Sequence, residues 1–294
     1  MSNNVVSNIA VVVVTHESAA TITLCLKKLR RAIGLRRIII VDNASSDATC
    51  DIIEKFLPDD PRISLVRNKE NIGFAAACNQ GASALSQPWL VFLNPDAYVE
   101  PDTLFRLRES AIEHAGAGLV GVDLVNEKGV SDRAARRFDL SLISLLKNPA
   151  ELDLIYMGRD PDKKVQVVDA CSGALMMMPA NVFHHVGGFD HGFRLHAEDL
   201  DLCRRVRLAG YEVLVDNSVR VVHVRGASGL TKPAWVEWQK HRSLWRYFQK
   251  YEAAQTPDWM EPFIWTGLWL HFIWALLRPR QNASSTEGAF WNRK

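Results

Sequence analysis

Apolar residues fall in short continuous runs, each closed by a polar cluster and followed by a segment of helical spacing. Ile9 to Val14 is an unbroken, mostly β-branched run, as expected of a strand buried on both faces. Ile22, Leu26 and Leu29 then recur at helical spacing, and Gly34 ends the pattern. Ile38–Val41 predicts a second buried strand, and Ala48–Phe56 a helix with Asp47 as its N-cap. Ile63–Val66 predicts a third strand, and Phe74–Leu85 a helix of small residues suited to close packing. Trp89–Leu93 predicts a fourth strand, stopped at Pro95, which cannot continue a central strand. Beyond it come a helix over Pro101–His114 and strands at Leu119–Val122, Val165–Ala170 and Ala174–Met178. A helix over 199–209 and two strands, Val213–Val215 and Val219–Val224, follow. Leu142–Asp162 has no regular pattern. Strand alternating with helix predicts βαβ units: an α/β fold with a mainly parallel sheet flanked by helices.

In such a sheet, ligands lie beyond the carboxyl ends of the strands. Four successive strand ends carry polar clusters: Thr15-His16-Glu17-Ser18, Asp42 to Asp47, Arg67 to Gly73, and Asn94-Pro95-Asp96. Asp96 stands where a diphosphate and a hard cation would lie, since such a cation takes carboxylate and phosphate oxygens. An Asx-type turn is the plainer reading of the same three residues. Glu198 and Asp199 open a helix, where acids suit the helix dipole. Asp199 also falls on the face that continues as the apolar stripe through Val206, so it is expected to point inward. Asp201 pairs with Arg205 at i,i+4 on an expected outer face. Arg133, Arg136 and Arg137 form a basic loop, either solvated or anion-binding.

The 294 residues carry a formal charge of +2 and are 48% hydrophobic, a globular composition that gives no reason to expect nucleic acid. Five cysteines, odd in number and without a CxxC pair, fit a reducing cytosol and no disulfide framework. Met1–Ser7 is polar with no basic region, unlike a signal peptide. No apolar run reaches the roughly 18 residues of a spanning helix. Eight of the nine tryptophans follow residue 234. A helix around Trp235–Lys250 and an apolar segment, Pro262–Leu277, with Arg278 and Arg280 after it, suit a membrane interface. Packing on the catalytic domain, or on a second copy as a homodimer, is the other reading.

The order of these motifs resembles the family 2 glycosyltransferases, especially the bacterial rhamnosyltransferase branch. The matching stretches are Val-Val-Thr15-His16-Glu17, Val41 to Asp47, Asn68 through Asn71-Ile72-Gly73-Phe74, Asn79, Leu93 to Ala97, Ser172-Gly173-Ala174, Gly187-Gly188-Phe189-Asp190, and Glu198 to Arg205. His16 stands where the family usually has Tyr or Phe, and Asn94 where many members have the first Asp of an Asp-x-Asp pair. The resemblance covers about residues 8 to 230. It implies a Rossmann-like, glycosyltransferase A-type catalytic domain over 1–230. Its nucleotide-sugar-binding half would end near 125, its acceptor-binding half would follow, and a helical Trp-rich region would occupy 231–294.

It also implies an inverting transfer, most simply of L-rhamnose from dTDP-β-L-rhamnose to a glycan acceptor, probed against UDP- or GDP-hexose donors and against an inactive nucleotide-binding scaffold as alternatives. Thr15, His16, Glu17, Asp42, Asn43, Asp47, Asn71, Gly73 and Asn94 would line the nucleotide-sugar site. Asp96 would bind Mg2+ or Mn2+, with His223 completing the metal shell. Asp199 would be the general base, Glu198 would orient the acceptor, and Arg136 and Arg137 would contact it. A polyprenyl-diphosphate-linked acceptor would place the work at the inner face of the membrane.

Overall fold

The computed structural model describes residues 8–143, 155–224 and 233–277. β1 (Ile9–Thr15), α1 (Ile22–Leu29), β2 (Leu35–Asp42), α2 (Thr49–Glu54), β3 (Ile63–Arg67), α3 (Phe74–Ser83) and β4 (Trp89–Leu93) follow the predicted alternation closely. A two-residue strand, β5 (Ala97–Tyr98), then precedes α4 (Thr103–Glu113) and β6 (Ala117–Val125). The second half contains β7 (Arg136–Arg137), β8 (Val165–Val168), β9 (Ala170–Cys171), β10 (Leu175–Pro179), α5 (Ala180–His185), α6 (Glu198–Leu208) and β11 (Glu212–His223). Two helices close the described chain, α7 (Pro233–Tyr251) and α8 (Glu261–Leu277).

The main sheet runs β3-β2-β1-β4-β10-β6-β11-β5, with β8 also on β11; β7 and β9 form a small second sheet. β3, β2, β1 and β4 are parallel, so their polar ends share one edge as predicted. β10 runs against β4 and β6, and β11 is parallel to β6. The period-2 alternation of β1 feeds two cores. Ile9, Val11 and Val13 pack with Ile22, Leu26, Ile53 and Leu104 on one face. Ala10, Val12 and Val14 pack with Ala75, Cys78, Val182 and Leu202 on the other. The small residues of α3 serve close approach: a Cβ on Gly81 would meet Val12 Cγ1 at 2.5 Å.

Two expectations change. β11 is one strand where the sequence predicts two. Its register slips between Asp216 and Arg220, and Asn217 fills the interruption. Asn217 donates to the carbonyls of Asp160 (3.1 Å) and Lys163 (2.9 Å), so neighbouring chain bridges the polar break. Asp201 pairs with Arg205 as predicted, yet is fully buried rather than outward. The reason lies outside local sequence: α7 covers that face of α6, bringing Lys250 and Tyr251 to the Asp201 carboxylate. Asp47 holds the start of α2, accepting the Thr49 N–H at 3.0 Å and the Ala19 N–H at 3.0 Å.

α7 is docked through Tyr247 and Phe248, both fully buried. Tyr247 packs with Leu140, Phe193 and Ala197, and Phe248 with Leu142 and Ile264. α8 rests on α7 through the ring pairs Trp238–Trp269 and His241–His271. Phe263, Trp265, Leu270, Ile273, Trp274 and Leu277 of α8 remain exposed. No helix among the described residues is long and apolar enough to cross a membrane. Residues 278–280, with Arg278 and Arg280, and residues 144–154 of the irregular segment lie outside the described residues.

Candidate active site

The nucleotide-side loops are built by Asp42 at the end of β2. Its carboxylate accepts hydrogen bonds from Thr15 Oγ1 (2.8 Å), Ser45 Oγ (2.6 Å) and Ser45 N (2.9 Å). Thr15, Asp42 and Asn43 are buried and form the floor of these loops. His16 Nδ1 lies 2.8 Å from the Asn43 carbonyl, and Glu17 accepts from the Ser46 N–H and hydroxyl, each at 2.8 Å. Glu17 and Ala44 both adopt left-handed backbone conformations, φ 53° and 57°. Such strain in non-glycine residues persists where surroundings over-determine it, and it concentrates at functional loops.

Asn43 Nδ2 donates to the Gly73 carbonyl at 3.2 Å, and Asn71 Oδ1 accepts the Gly73 N–H at 2.9 Å. Gly73 has φ +90°, and a Cβ there would stand 2.9 Å from the Arg194 carbonyl oxygen. Only glycine fits both demands. Arg194 in turn donates to the Asn71 carbonyl at 2.7 Å, tying the mouth of α3 to the segment before α6. Arg194 carried no motif signal; only its long-range partner reveals it.

At the end of β4, the Asn94 N–H donates to the Ala174 carbonyl at 2.9 Å. β5 pairs antiparallel with the end of β11, setting Ala97 opposite His223. That pairing places His223 Nε2 3.2 Å from Asp96 Oδ1. Asp96 is 7% exposed. Both ring nitrogens of His223 are buried and make no hydrogen bond among the described residues. No group of three His, Cys, Asp or Glu residues capable of holding an ion occurs among them. One carboxylate plus one imidazole with unused nitrogens fits a cation whose remaining ligands come from substrate oxygens.

The acids of α6 meet the same Ser172–Ala174 stretch that bonds Asn94. His196 and Ala197 are left-handed, φ 66° and 64°, and turn the chain into the helix. Asp199 accepts from Arg137 Nη2 (2.5 Å), the Gly173 N–H (3.2 Å) and its successor Leu200 N–H (2.8 Å). Burial alone would raise the Asp199 carboxyl, but the Arg137 charge and these hydrogen bonds outweigh it and hold it below the usual range. Glu198 is 9% exposed, and its Oε2 has no hydrogen-bond partner among the described residues. Burial, then the Asp199 charge, push Glu198 up to about 8.

Consecutive positions on β7 point to opposite sides, which separates Arg136 from Arg137. Arg136 is 2% exposed; it holds Asp123 at 2.9 Å and Asn217 at 2.8 Å. Its guanidinium is committed to that buried cluster and not to the acids of α6. Because Gly173 touches Asp199 and its neighbour Ala174 bonds Asn94, one short stretch joins the Asp96 loop to the Asp199 helix.

Residues 10–187 match the sequence profile described as Glycosyl transferase family 2. The chain belongs to glycosyl transferase family 2. This family 2 transferase is 23% identical to the N-acetylglucosaminyl-diphospho-decaprenol L-rhamnosyltransferase of Mycobacterium tuberculosis over 252 residues, 78% of each chain. It is 31% identical to the succinoglycan biosynthesis protein ExoO of Rhizobium meliloti over 151 residues, 50% of this chain and 42% of that one. In structure it is similar to the mannosyltransferase PcManGT of Pyrobaculum calidifontis in complex with GDP-Man and Mn2+. That likeness has a TM-score of 0.59 and 20% identity over 92% of this chain and 72% of that one. S. aureus TarS 1-349 gives a TM-score of 0.55 at 17% identity, covering 92% of this chain and 81% of that one. The transferase thus has the glycosyltransferase A-type fold that its motif order implied. Glu198, Asp199 and His223 all lie beyond the matched residues of the transferase.

Proposed function

We propose that this chain is an inverting, cation-dependent hexosyltransferase. It moves L-rhamnose from dTDP-β-L-rhamnose to a sugar hydroxyl of a polyprenyl-diphosphate-linked glycan acceptor in cell-surface polysaccharide synthesis. The observation that carries this reading is the Ser172–Ala174 stretch, which touches the Asp96 loop on one side and Asp199 on the other. The donor and the lipid-linked acceptor are supported by the mycobacterial relative and by the motif order.

In this reading Thr15, His16, Glu17, Asp42, Asn43 and Asp47 shape the base and ribose pocket, and Asn71, Gly73 and Asn94 line the donor sugar. Asp96 and His223 hold Mg2+ or Mn2+, which supplies charge neutralisation for the departing diphosphate. The acceptor oxygen bonds to the anomeric carbon opposite the diphosphate, whose bond to that carbon breaks with the electron pair on phosphate oxygen. The acceptor proton passes to Asp199. Arg137 keeps Asp199 ionised at neutral pH, ready to receive it, and orients the carboxylate against Gly173.

The exposed apolar face of α8 supports a seat on the inner face of the membrane. Its 17 residues reach about 26 Å, short of the ~30 Å hydrocarbon core, so it would lie in the interface. Contiguous exposed apolar surface of this kind marks an interaction site. Thermal-shift titration with dTDP-rhamnose, UDP-hexoses and GDP-hexoses, with and without Mn2+, tests the donor. Selective stabilisation by dTDP-rhamnose with Mn2+ is expected; selection of another donor removes the rhamnose assignment. Asp199→Asn should bind donor normally and lose transfer by about 10²–10⁴-fold. Near-normal turnover of that variant removes Asp199 as the base.

A further inference from the structure

We propose that Lys250, on α7, is a positioning residue for the acids of α6. Its ammonium lies 2.9 Å from Asp190 Oδ2 and 2.6 Å from Asp201 Oδ1. Those two carboxylates flank the segment that contains the strained His196–Ala197 turn and Glu198–Asp199. One cation therefore closes this segment from outside, while Arg137 holds Asp199 from inside. Left-handed non-glycine backbone reverts unless its surroundings fix it. Lys250 supplies that constraint at both ends of the segment.

The rest of α7 is shaped to deliver this contact. Arg246 binds both Asp190 oxygens at 3.0 Å, and a Cβ on Gly192 would overlap its guanidinium. Ser243 Oγ donates to the Leu195 carbonyl at 2.9 Å, beside the turn. Tyr251 donates to Asp201 at 2.7 Å, and Phe193 is fully buried beneath Arg246 and Lys250. Removing the ammonium leaves no bare buried charge. Arg205 and Tyr251 still satisfy Asp201, and Arg246 still satisfies Asp190.

The inference rests on the transferase reading for its kinetic consequence but not for its structural one. The test is the full-length Lys250→Met variant, with Lys250→Arg as the conservative control. Transfer from dTDP-rhamnose is measured alongside amide hydrogen exchange. Lys250→Met should lower kcat by about tenfold or more with the donor KM within about twofold. Its amides from 194 to 200 should exchange about tenfold faster while those of β1 to β4 are unchanged. Lys250→Arg should restore most of both. Unchanged exchange at 194–200 overturns the proposal, as does equal acceleration in β1 to β4, which marks mere loss of stability. If the wild-type protein transfers no sugar, the exchange result still decides the role of Lys250, and only the proposed function falls.

Discussion

Replacing Glu198 by glutamine should remove a pH dependence of stability carried by the wild-type chain. Folding lifts the Glu198 carboxyl from its ordinary 4.5 to about 8, first by burial and then by the Asp199 charge. The geometry supports this direction: two adjacent acids share one cation, and Arg137 is spent on Asp199. The folded state therefore binds the Glu198 proton more tightly than the unfolded chain. Its stabilising contribution is complete below about pH 4.5 and is lost as pH rises toward about 8. Each pH unit over which the folded chain keeps this proton after the unfolded chain has lost it contributes about 1.4 kcal/mol. Glutamine is neutral throughout and nearly isosteric, so the difference between the two proteins isolates this proton. Asp199, held low by Arg137, titrates below this window. Urea unfolding of both proteins from pH 5 to 8 is the assay. Wild type should lose about 1.4 kcal/mol per pH unit relative to Glu198→Gln across most of that range. A difference that stays flat would mean that Glu198 is already ionised in the folded protein, and the charge argument fails.

Arg136→Met should weaken folding by roughly 3 kcal/mol, because Asp123 is fully buried and would keep the Ser131 hydroxyl at 3.2 Å but, among the described residues, no cation closer than Arg220 at 3.4 Å and Arg159 at 4.0 Å. Turnover per folded molecule should be unchanged; selective loss of turnover at intact stability would return Arg136 to the acceptor site. Phe263→Glu combined with Ile273→Glu should cut binding to phosphatidylglycerol–phosphatidylethanolamine vesicles by about 100-fold or more, from roughly 1.5–3 kcal/mol lost per side chain. Unchanged co-sedimentation would leave the α8 face to a second protein copy.

The first half of the fold was legible because β1, β2 and β4 are apolar runs closed by turn chemistry, and local rules suffice there. β5 was too short to carry a period, and β11 was split because Asp216-Asn217-Ser218 imitates a turn. The acids of the site were visible as motifs, and the inward direction of Asp199 followed from helical spacing. Its pairing with Arg137 was not visible, since 62 positions separate them and the registers of β7 and α6 decide it. The same ambiguity hid the opposite fates of Arg136 and Arg137. Asp201 was misplaced outward because its i,i+4 partner is real while the covering helix α7 comes from far along the chain. Glu198 was legible as an acid beside the base, expected to orient the acceptor; that its Oε2 is buried without a partner was not, because burial leaves no mark on composition.

Among the described residues, four that bear side chains keep left-handed torsions: Glu17 and Ala44 in the nucleotide-side loops, His196 and Ala197 before the acids. Glycine would relax the torsion at the half-buried Ala44 by about 1 kcal/mol, whereas at Glu17 it would remove the carboxylate bonded to Ser46 and at Ala197 the methyl packed with Tyr247. Selection for heat tolerance alone should thus drift toward glycine at Ala44. Alanine there forgoes easy robustness in exchange for a loop that holds one shape.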